Sequence, residues 1–399
     1  MTPAVDADLI ILGAGLAGLS LASRLAREPS SPSVIVLEPR TDYQDDRSWC
    51  FWRPEQHDLS HLVSQRWKTW TFSDVAGETV RHRSPGLLYQ YIRGSDFYAS
   101  AQADIAGSTD VDLRLGVRAE AVTAVSGVVQ VETSAGPLWA RQVIDTRPQP
   151  TAAMLYQSFV GIEVERDTAL PFEPAEVTLM GSLTADTHGL SFVYALPLSP
   201  NRAIVEWTRF GTEPVSRRRL SDELDHVLAE LGLHDVRRVR TEGGVLAMGL
   251  EPRTSPTIPG VVLAGNVGGA LRAATGYGFL RIQQWAQDSA DRLLAGRDAL
   301  GHPEEPWLRR NFDRIFLQAL RTHPERTAEY FLALARGVAA PALVRFLTDN
   351  ARPLDYARII SSLPWTPFIA QVAAPTRFTP ASAARAPFRS IITTTEARP

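Results

Sequence analysis

Residues Asp8 to Glu38 read DLIILGAGLAGLSLASRLAREPSSPSVIVLE, and this stretch decides the fold. Asp8 to Leu12 is a short apolar run, the pattern of a strand buried on both faces. Gly13, Gly15 and Gly18 then supply GxGxxG. The first glycine allows a tight turn, the second lets a pyrophosphate approach backbone N–H groups, and the third lets the next helix pack on the strand. Leu19 to Arg27 continues as that helix. Val34 to Leu37 reads as a second buried strand, ended by Glu38, where an acid can accept hydrogen bonds from a ribose. Strand, turn, helix, strand and acid fall in register within about 30 residues, which points to a dinucleotide site rather than a chance glycine-rich turn. The acid favours FAD or NAD over NADP.

The chain has 399 residues, 44% of them hydrophobic, and a mean hydropathy of -0.10. That allows two closely joined domains or one large domain with an inserted sheet. A net charge of -3 gives no electrostatic basis for nucleic acid as a partner. The single cysteine, Cys50, excludes an internal disulfide and an all-cysteine metal site, fits a cytoplasmic protein, and leaves no metal ligand set in view. The start, MTPAVDAD, lacks the basic and apolar regions of a signal peptide. No apolar run reaches the length of a membrane span.

After Glu38, the segment PRTDYQDDRSWCFWRPE reads as a loop from its Pro and Asp content. Arg47 within it either reaches a cofactor or stays solvated. Trp49 and Trp52 either line an apolar pocket or anchor the loop. Trp67 to Phe72 has strand-like alternation, and Ser95 reads as the cap of a helix carrying Phe97 and Tyr98. Leu113 to Glu132 holds two or three short strands, and Gln142 to Thr146 reads as a third buried parallel strand. From Tyr156 to Phe210 the chain is β-rich and punctuated by turns, as expected for an inserted antiparallel sheet that walls a substrate. Leu220 to Leu231 is an amphipathic helix with Ser221 near its start, and Val245 to Leu250 is a short strand.

A second glycine-rich turn follows the strand Val261 to Leu263, with Gly265, Gly268 and Gly269. The helix predicted from about Gly276 would aim its N–H groups at an anion. NAD needs one such grip, whereas FAD is commonly held at both ends, so the pair of turns favours FAD. Asn311 to Leu347 and Asp355 to Ile369 are helical, the latter broken by Pro364 and Pro367. The expected fold is α/β: a Rossmann-like FAD-binding unit (1–150 with 240–300; parallel sheet, helices on both faces), an inserted antiparallel β-sheet substrate domain (151–239), a C-terminal helical region (301–376) and a flexible tail (377–399).

Six segments carry a resemblance: DLIILGAGLAGLSLA, DDRSWCFW, YIRGSDFY, FVYALPLSPNRAIVEWTRF, GNVGGALRAATGYGF, and FDRIF with the later RFL. From about Asp8 to Ile369 the chain resembles the bacterial lycopene β-cyclases, flavoproteins that close β-rings on carotenoids. The resemblance implies reduced FAD, with NAD(P)H as electron source, in a reaction without net redox change. It implies lycopene as substrate and peripheral attachment to the inner face of the cell membrane, for which the Trp49–Trp52 loop and the helices around Phe331 and Phe346 are candidates.

In the family the acid of the VE-x-T position is the proposed proton donor and acceptor, which here is Glu206. A carboxylic acid in an apolar pocket keeps its proton near neutral pH and can donate it to an alkene. Glu206 alternatively faces water, or pairs with Arg202 or Arg209. The implied flavin site comprises Gly13, Gly15, Gly18, Glu38, Arg47, Gly265, Asn266, Gly268, Gly269, Thr275 and Gly276. The implied substrate wall comprises Trp49, Trp52, Tyr194, Trp207 and Tyr277. The chain departs from the family pattern at Trp207 and Gly181, where relatives carry acids, and at Ala273 and Ala274, where they tend to have Pro. Other activities compatible with the same nucleotide fold are a flavin monooxygenase, a prenyl reductase, or a non-catalytic prenyl-lipid carrier.

Overall fold

A computed structural model describes residues 3–251 and 258–380. The dinucleotide-type segment forms Ala7–Leu12 (strand), Leu16–Ala26 (helix) and Val34–Glu38 (strand). These strands lie in a seven-stranded sheet with spatial order 111–115, 34–38, 7–12, 138–145, 128–133, 119–125, and Val261–Leu263 pairs with Leu138–Asp145. The pairs between 111–115, 34–38, 7–12, 138–145 and 261–263 are parallel, and 119–145 closes as an antiparallel meander. The apolar runs of the sequence are explained by burial on both faces. Leu9, Ile11, Val34 and Val36 pack beneath helices Leu16–Ala26, Gly94–Ala106 and Phe279–Leu294, while Ile10, Leu12, Ile35 and Leu37 pack with Val129 and Val131 of the meander.

A second seven-stranded sheet has spatial order 237–250, 153–165, 202–211, 189–199, 176–186, 69–74, 79–83. All its pairs are antiparallel except 176–186 with 69–74. One face is sealed by helix Arg217–Glu230, whose Leu220, Leu224 and Leu228 pack on Val160, Ile162, Val193 and Val205. The opposite face looks towards the first sheet and towards the C-terminal helices Trp307–Thr322, Thr327–Gly337, Ala340–Leu347, Pro353–Ser362 and Trp365–Ile369.

The structure corrects several local expectations. Trp49 to Trp52 is not loop but the strand Ser48–Arg53, paired with Leu88–Arg93 in a three-stranded sheet that also holds Val63–Trp67. The Pro and Asp content that signals a loop ends at Arg47, and the aromatic run after it suits a pleated surface. The alternation at 67–72 is two strands: Val63–Trp67 ends in the small sheet, and Thr69–Asp74 joins the second large sheet. The short strand expected at 245–250 is the end of a 14-residue strand, Arg237–Leu250, in the same large sheet. Helix Gly94–Ala106 starts at Arg93 without a side-chain cap, so Ser95 lies inside its first turn. Ser216, not Ser221, caps helix Arg217–Glu230. The expected flexible tail falls largely on 381–399, outside the described residues; just before them, Thr379 bridges to Ala153.

Candidate active site

The glycines of the first turn divide their work by position. Gly13 has φ +93°, a conformation that a side chain disfavours, and its N–H donates to Leu37 O at 2.8 Å. A Cβ at Gly18 would sit 2.1 Å from Gly13 O, so only glycine lets the helix lie this close to the turn. A Cβ at Gly15 would meet nothing within 4 Å. Position 15 therefore opens on space in front of the N-terminus of helix Leu16–Ala26, where a phosphate finds free N–H groups. Glu38 is buried, and its Oε2 accepts from Ala14 N at 2.8 Å while its Oε1 accepts from Arg40 Nε at 2.9 Å. The acid at the end of the second strand thus also ties down the turn.

The second turn meets the first. Gly265 has φ +67°, its Cβ position lies 3.2 Å from Ala17 Cβ, and its N–H donates to His302 Nε2 at 3.0 Å. Helix Phe279–Leu294 starts three residues later than expected from Gly276. Gly13, Gly15, Glu38, Arg47, Gly265, Asn266, Thr275 and Gly276 all line one cavity. Gly18, Gly268 and Gly269 do not; a Cβ at Gly268 would sit 2.5 Å from Leu263 O, so this glycine shapes the turn from behind. Arg47 is exposed yet lines the cavity, and its Nη1 donates to Gly243 O at 3.1 Å.

The cavity measures about 1970 Å³ and is continuous from these turns to the second sheet, whose Phe159, Phe192 and Phe210 line it, and on to Ile360, Trp365, Ile369 and Val372. Of the expected substrate-wall residues, Trp49, Tyr194 and Tyr277 line it, whereas Trp52 and Trp207 do not. Trp52 packs behind the wall, 4.5 Å from the Tyr89 ring and 5.5 Å from that of Trp70. Trp207 follows Glu206 on a strand, so the period of two turns it to the other face, where Nε1 donates to Glu223 Oε2 at 2.8 Å. Gly181 also lies off the lining, in a register shift where a Cβ would come within 2.5 Å of Thr178 Cγ2.

Glu206 lies on the cavity wall with only 9% of its surface exposed. Neither candidate arginine reaches it. Arg202 pairs with Glu163, and Arg209 pairs with Glu223 at 2.8 Å and Asp186 at 3.4 Å. Among the described residues its side chain has one hydrogen bond, from Thr208, whose Oγ1 donates to Oε1 at 2.6 Å. Burial pushes its carboxyl up to about 8, nearby Glu242 adds to the rise, and the Thr208 hydrogen bond opposes it. Glu206 therefore holds a proton at neutral pH. The sequence reading missed Glu242, Cys50 and Tyr89, which line the same end of the cavity. Tyr89 and Tyr194 join their hydroxyls at 2.9 Å. Glu242 and Tyr89 lie in none of the quoted segments, and Cys50, inside DDRSWCFW, reaches them only through long-range strand pairing.

The family model for lycopene cyclase proteins matches residues 8–373. The chain belongs to the lycopene cyclase family. It is 25% identical over 382 residues to a lycopene β-cyclase of Pseudescherichia vulneris, covering 90% of this chain and 95% of that protein. It is also 25% identical over 397 residues to one of Pantoea ananas, covering 92% and 97%. Solved structures with the same fold include a geranylgeranyl bacteriochlorophyll reductase-like protein of Thermoplasma acidophilum, at TM-score 0.56 and 12% identity, covering 92% of this chain and 96% of that one. The p-nitrophenol 4-monooxygenase of Pseudomonas putida matches at TM-score 0.56 and 14% identity, covering 88% and 98%. These likenesses show a shared α/β fold. No helix among its described residues is long and apolar enough to cross a membrane.

Proposed function

We propose that this protein is a lycopene β-cyclase that closes β-rings by acid–base chemistry at Glu206, with reduced FAD bound in the same cavity. The observation that carries the reading is one continuous, largely apolar cavity with dinucleotide-binding turns at one end and a protonated, cation-free carboxylic acid further in. The fit to a flavin dinucleotide rests on Gly15, whose missing Cβ leaves open space before a helix N-terminus, and on the second turn that Gly265 brings against Ala17. Gly15, Glu38 and Arg47 would hold one part of the cofactor, and Gly265, Asn266, Thr275 and Gly276 another. Its reduced ring would supply negative charge beside a developing cation. Gly13, Gly18, Gly268 and Gly269 give the two turns their shape. The first sheet with its helices is the cofactor unit, and the second sheet with the C-terminal helices is the substrate unit.

The residues of the chain account for the rest. Thr208 occupies Glu206 Oε1, which leaves Oε2 to present the proton to the cavity. Donation to the terminal double bond of lycopene leaves a tertiary carbocation, which the neighbouring double bond attacks to form the six-membered ring. The Glu206 carboxylate then takes back a ring proton, so the product is an isomer of the substrate. Phe159, Phe192, Phe210 and Tyr194 line the wall beside Glu206; their π faces attract a cation and exclude the water that would quench it. Trp49 and Tyr277 extend that aromatic wall. The far end of the cavity reaches Ile360, Trp365, Ile369 and Val372, which are 47%, 62%, 62% and 58% exposed. This apolar rim, rather than the Trp49–Trp52 strand, is the surface through which a membrane-dissolved polyene would enter.

Turnover in D2O tests the reading. Purified protein with FAD, a reductant and lycopene in vesicles is expected to give a cyclic product carrying one deuterium per ring. A product gaining two hydrogens would mark a reductase, one gaining oxygen a monooxygenase, and unchanged lycopene a carrier.

A further inference from the structure

Strand register places Tyr194, Glu206, Gly161 and Glu242 side by side across four neighbouring strands. Gly161 is the only one of the four without a side chain, and that gap is what lets the two glutamates face each other. A Cβ built at Gly161 would lie 3.2 Å from Glu206 Cβ and 3.3 Å from Glu242 Cγ. Both carboxyl groups belong to the cavity wall, yet their partners differ completely. Glu242 Oε2 accepts from Arg240 Nη1 at 2.8 Å and from Ser48 Oγ at 2.8 Å. Arg240 is itself 9% exposed and fixed from the other side by Glu163 at 2.8 Å and Asp45 at 3.1 Å. Among the described residues, Glu206 has a threonine hydroxyl and no cation.

Two carboxyl groups brought together in a dry site do not both ionise, and the one with the arginine takes the charge. We infer that Glu242 is a positioning residue: its carboxylate, locked by Arg240 and Ser48, sets negative charge beside Glu206 and keeps the proton there. The same anion raises the basicity of the Glu206 carboxylate left after donation, which favours return of the ring proton. It also contributes fixed negative charge to the wall past which a carbocation forms. The inference rests on the proposed acid–base role of Glu206.

The other titratable groups at this end of the cavity do not compete. Cys50, on the Ser48–Arg53 strand, is pushed up to about 12 by burial. Tyr89 and Tyr194, on the Leu88–Arg93 and Gly189–Ser199 strands, are raised well above the ordinary tyrosine value by burial. Tyr91 is also raised by burial; its hydroxyl accepts from Arg240 Nη2 at 3.1 Å. All four stay neutral across the working range, so Glu242 is the anion that acts on Glu206.

The test is an infrared titration of the protonated carboxyl band, assigned to Glu206 by its loss in Glu206→Gln, together with the pH profile of cyclisation. In the wild type the band is expected to persist through neutral pH. In Glu242→Gln, which keeps the shape and the acceptor for Arg240 and Ser48, the band should vanish at a pH at least about one unit lower, and the alkaline limb of kcat should move with it. Glu242→Asp, which keeps the charge, should restore both towards wild type. A Glu242→Gln band and alkaline limb that titrate as in the wild type would overturn the inference. Glu242→Ser removes the same charge with a smaller side chain should the glutamine variant fail to fold. The infrared arm needs no turnover: a protein that shows the shift but leaves lycopene unchanged has lost the proposed activity and kept the coupling.

Discussion

Holding a neutral glutamic acid inside a protein costs stability, and the sign of that cost is measurable. The Glu206 carboxyl is pushed up to about 8 by burial in the folded chain, whereas in the unfolded chain it ionises in the ordinary carboxylate range. Below that ordinary range both states are protonated and the residue is neutral in effect. Between there and about pH 8 the folded state binds the extra proton, so stability falls as pH rises. Glu206→Gln is therefore expected to melt higher than the wild type, with a gap that opens between about pH 5 and 8 and reaches a few kcal/mol, read by calorimetry across pH. The same variant should lose at least about 10²-fold in cyclisation, the usual worth of a positioned general acid. Glu206 was legible as a candidate because its motif is local. Its neutrality was not, because that depends on where Arg202 and Arg209 go, and on Glu242 arriving from a strand 36 positions away in sequence.

At the scale of elements, the two glycine-rich turns were readable because turn, close approach and helix packing each need glycine for a local reason. Open space at Gly15 makes a clean test. A Cβ at Gly15 meets no protein atom within 4 Å, so Gly15→Val should fold as the wild type does, by circular dichroism, and yet purify without flavin colour. A yellow Gly15→Val protein would place the cofactor elsewhere. Sheet membership was much harder to read. Lys68 separates two strands that enter different sheets, and Arg237–Leu250 begins well before the apolar stretch that marked it, with Arg238 and Arg240 paired to Val164 and Glu163 in the ladder. Polar residues that bind buried carboxylates look like a solvated segment until their partners are in place. Trp207 was placed in the substrate wall by the resemblance, while strand alternation sends it to Glu223.

At the scale of the whole molecule, the cavity links three surfaces that no single segment announces: the glycine-rich turns, the acid-bearing sheet and the exposed rim of the last helices. Trp365 and Ile369, each 62% exposed, dominate that rim. Trp365→Ser and Ile369→Ser should each weaken vesicle binding roughly 10-fold or more, from about 1.5–3 kcal/mol of lost burial, and raise KM for a vesicle-borne polyene while leaving the melting temperature unchanged. Co-sedimentation with vesicles reads the first effect directly. The central claim, that this fold closes rings on a polyene through Glu206, is tested most directly by pigment analysis of cells that accumulate lycopene. Expression of the wild type should convert lycopene to γ-carotene or β-carotene, and Glu206→Gln, recovered folded and flavin-loaded from the same cells, should leave lycopene untouched. Ring formation by the Glu206→Gln protein at the wild-type level would contradict the account.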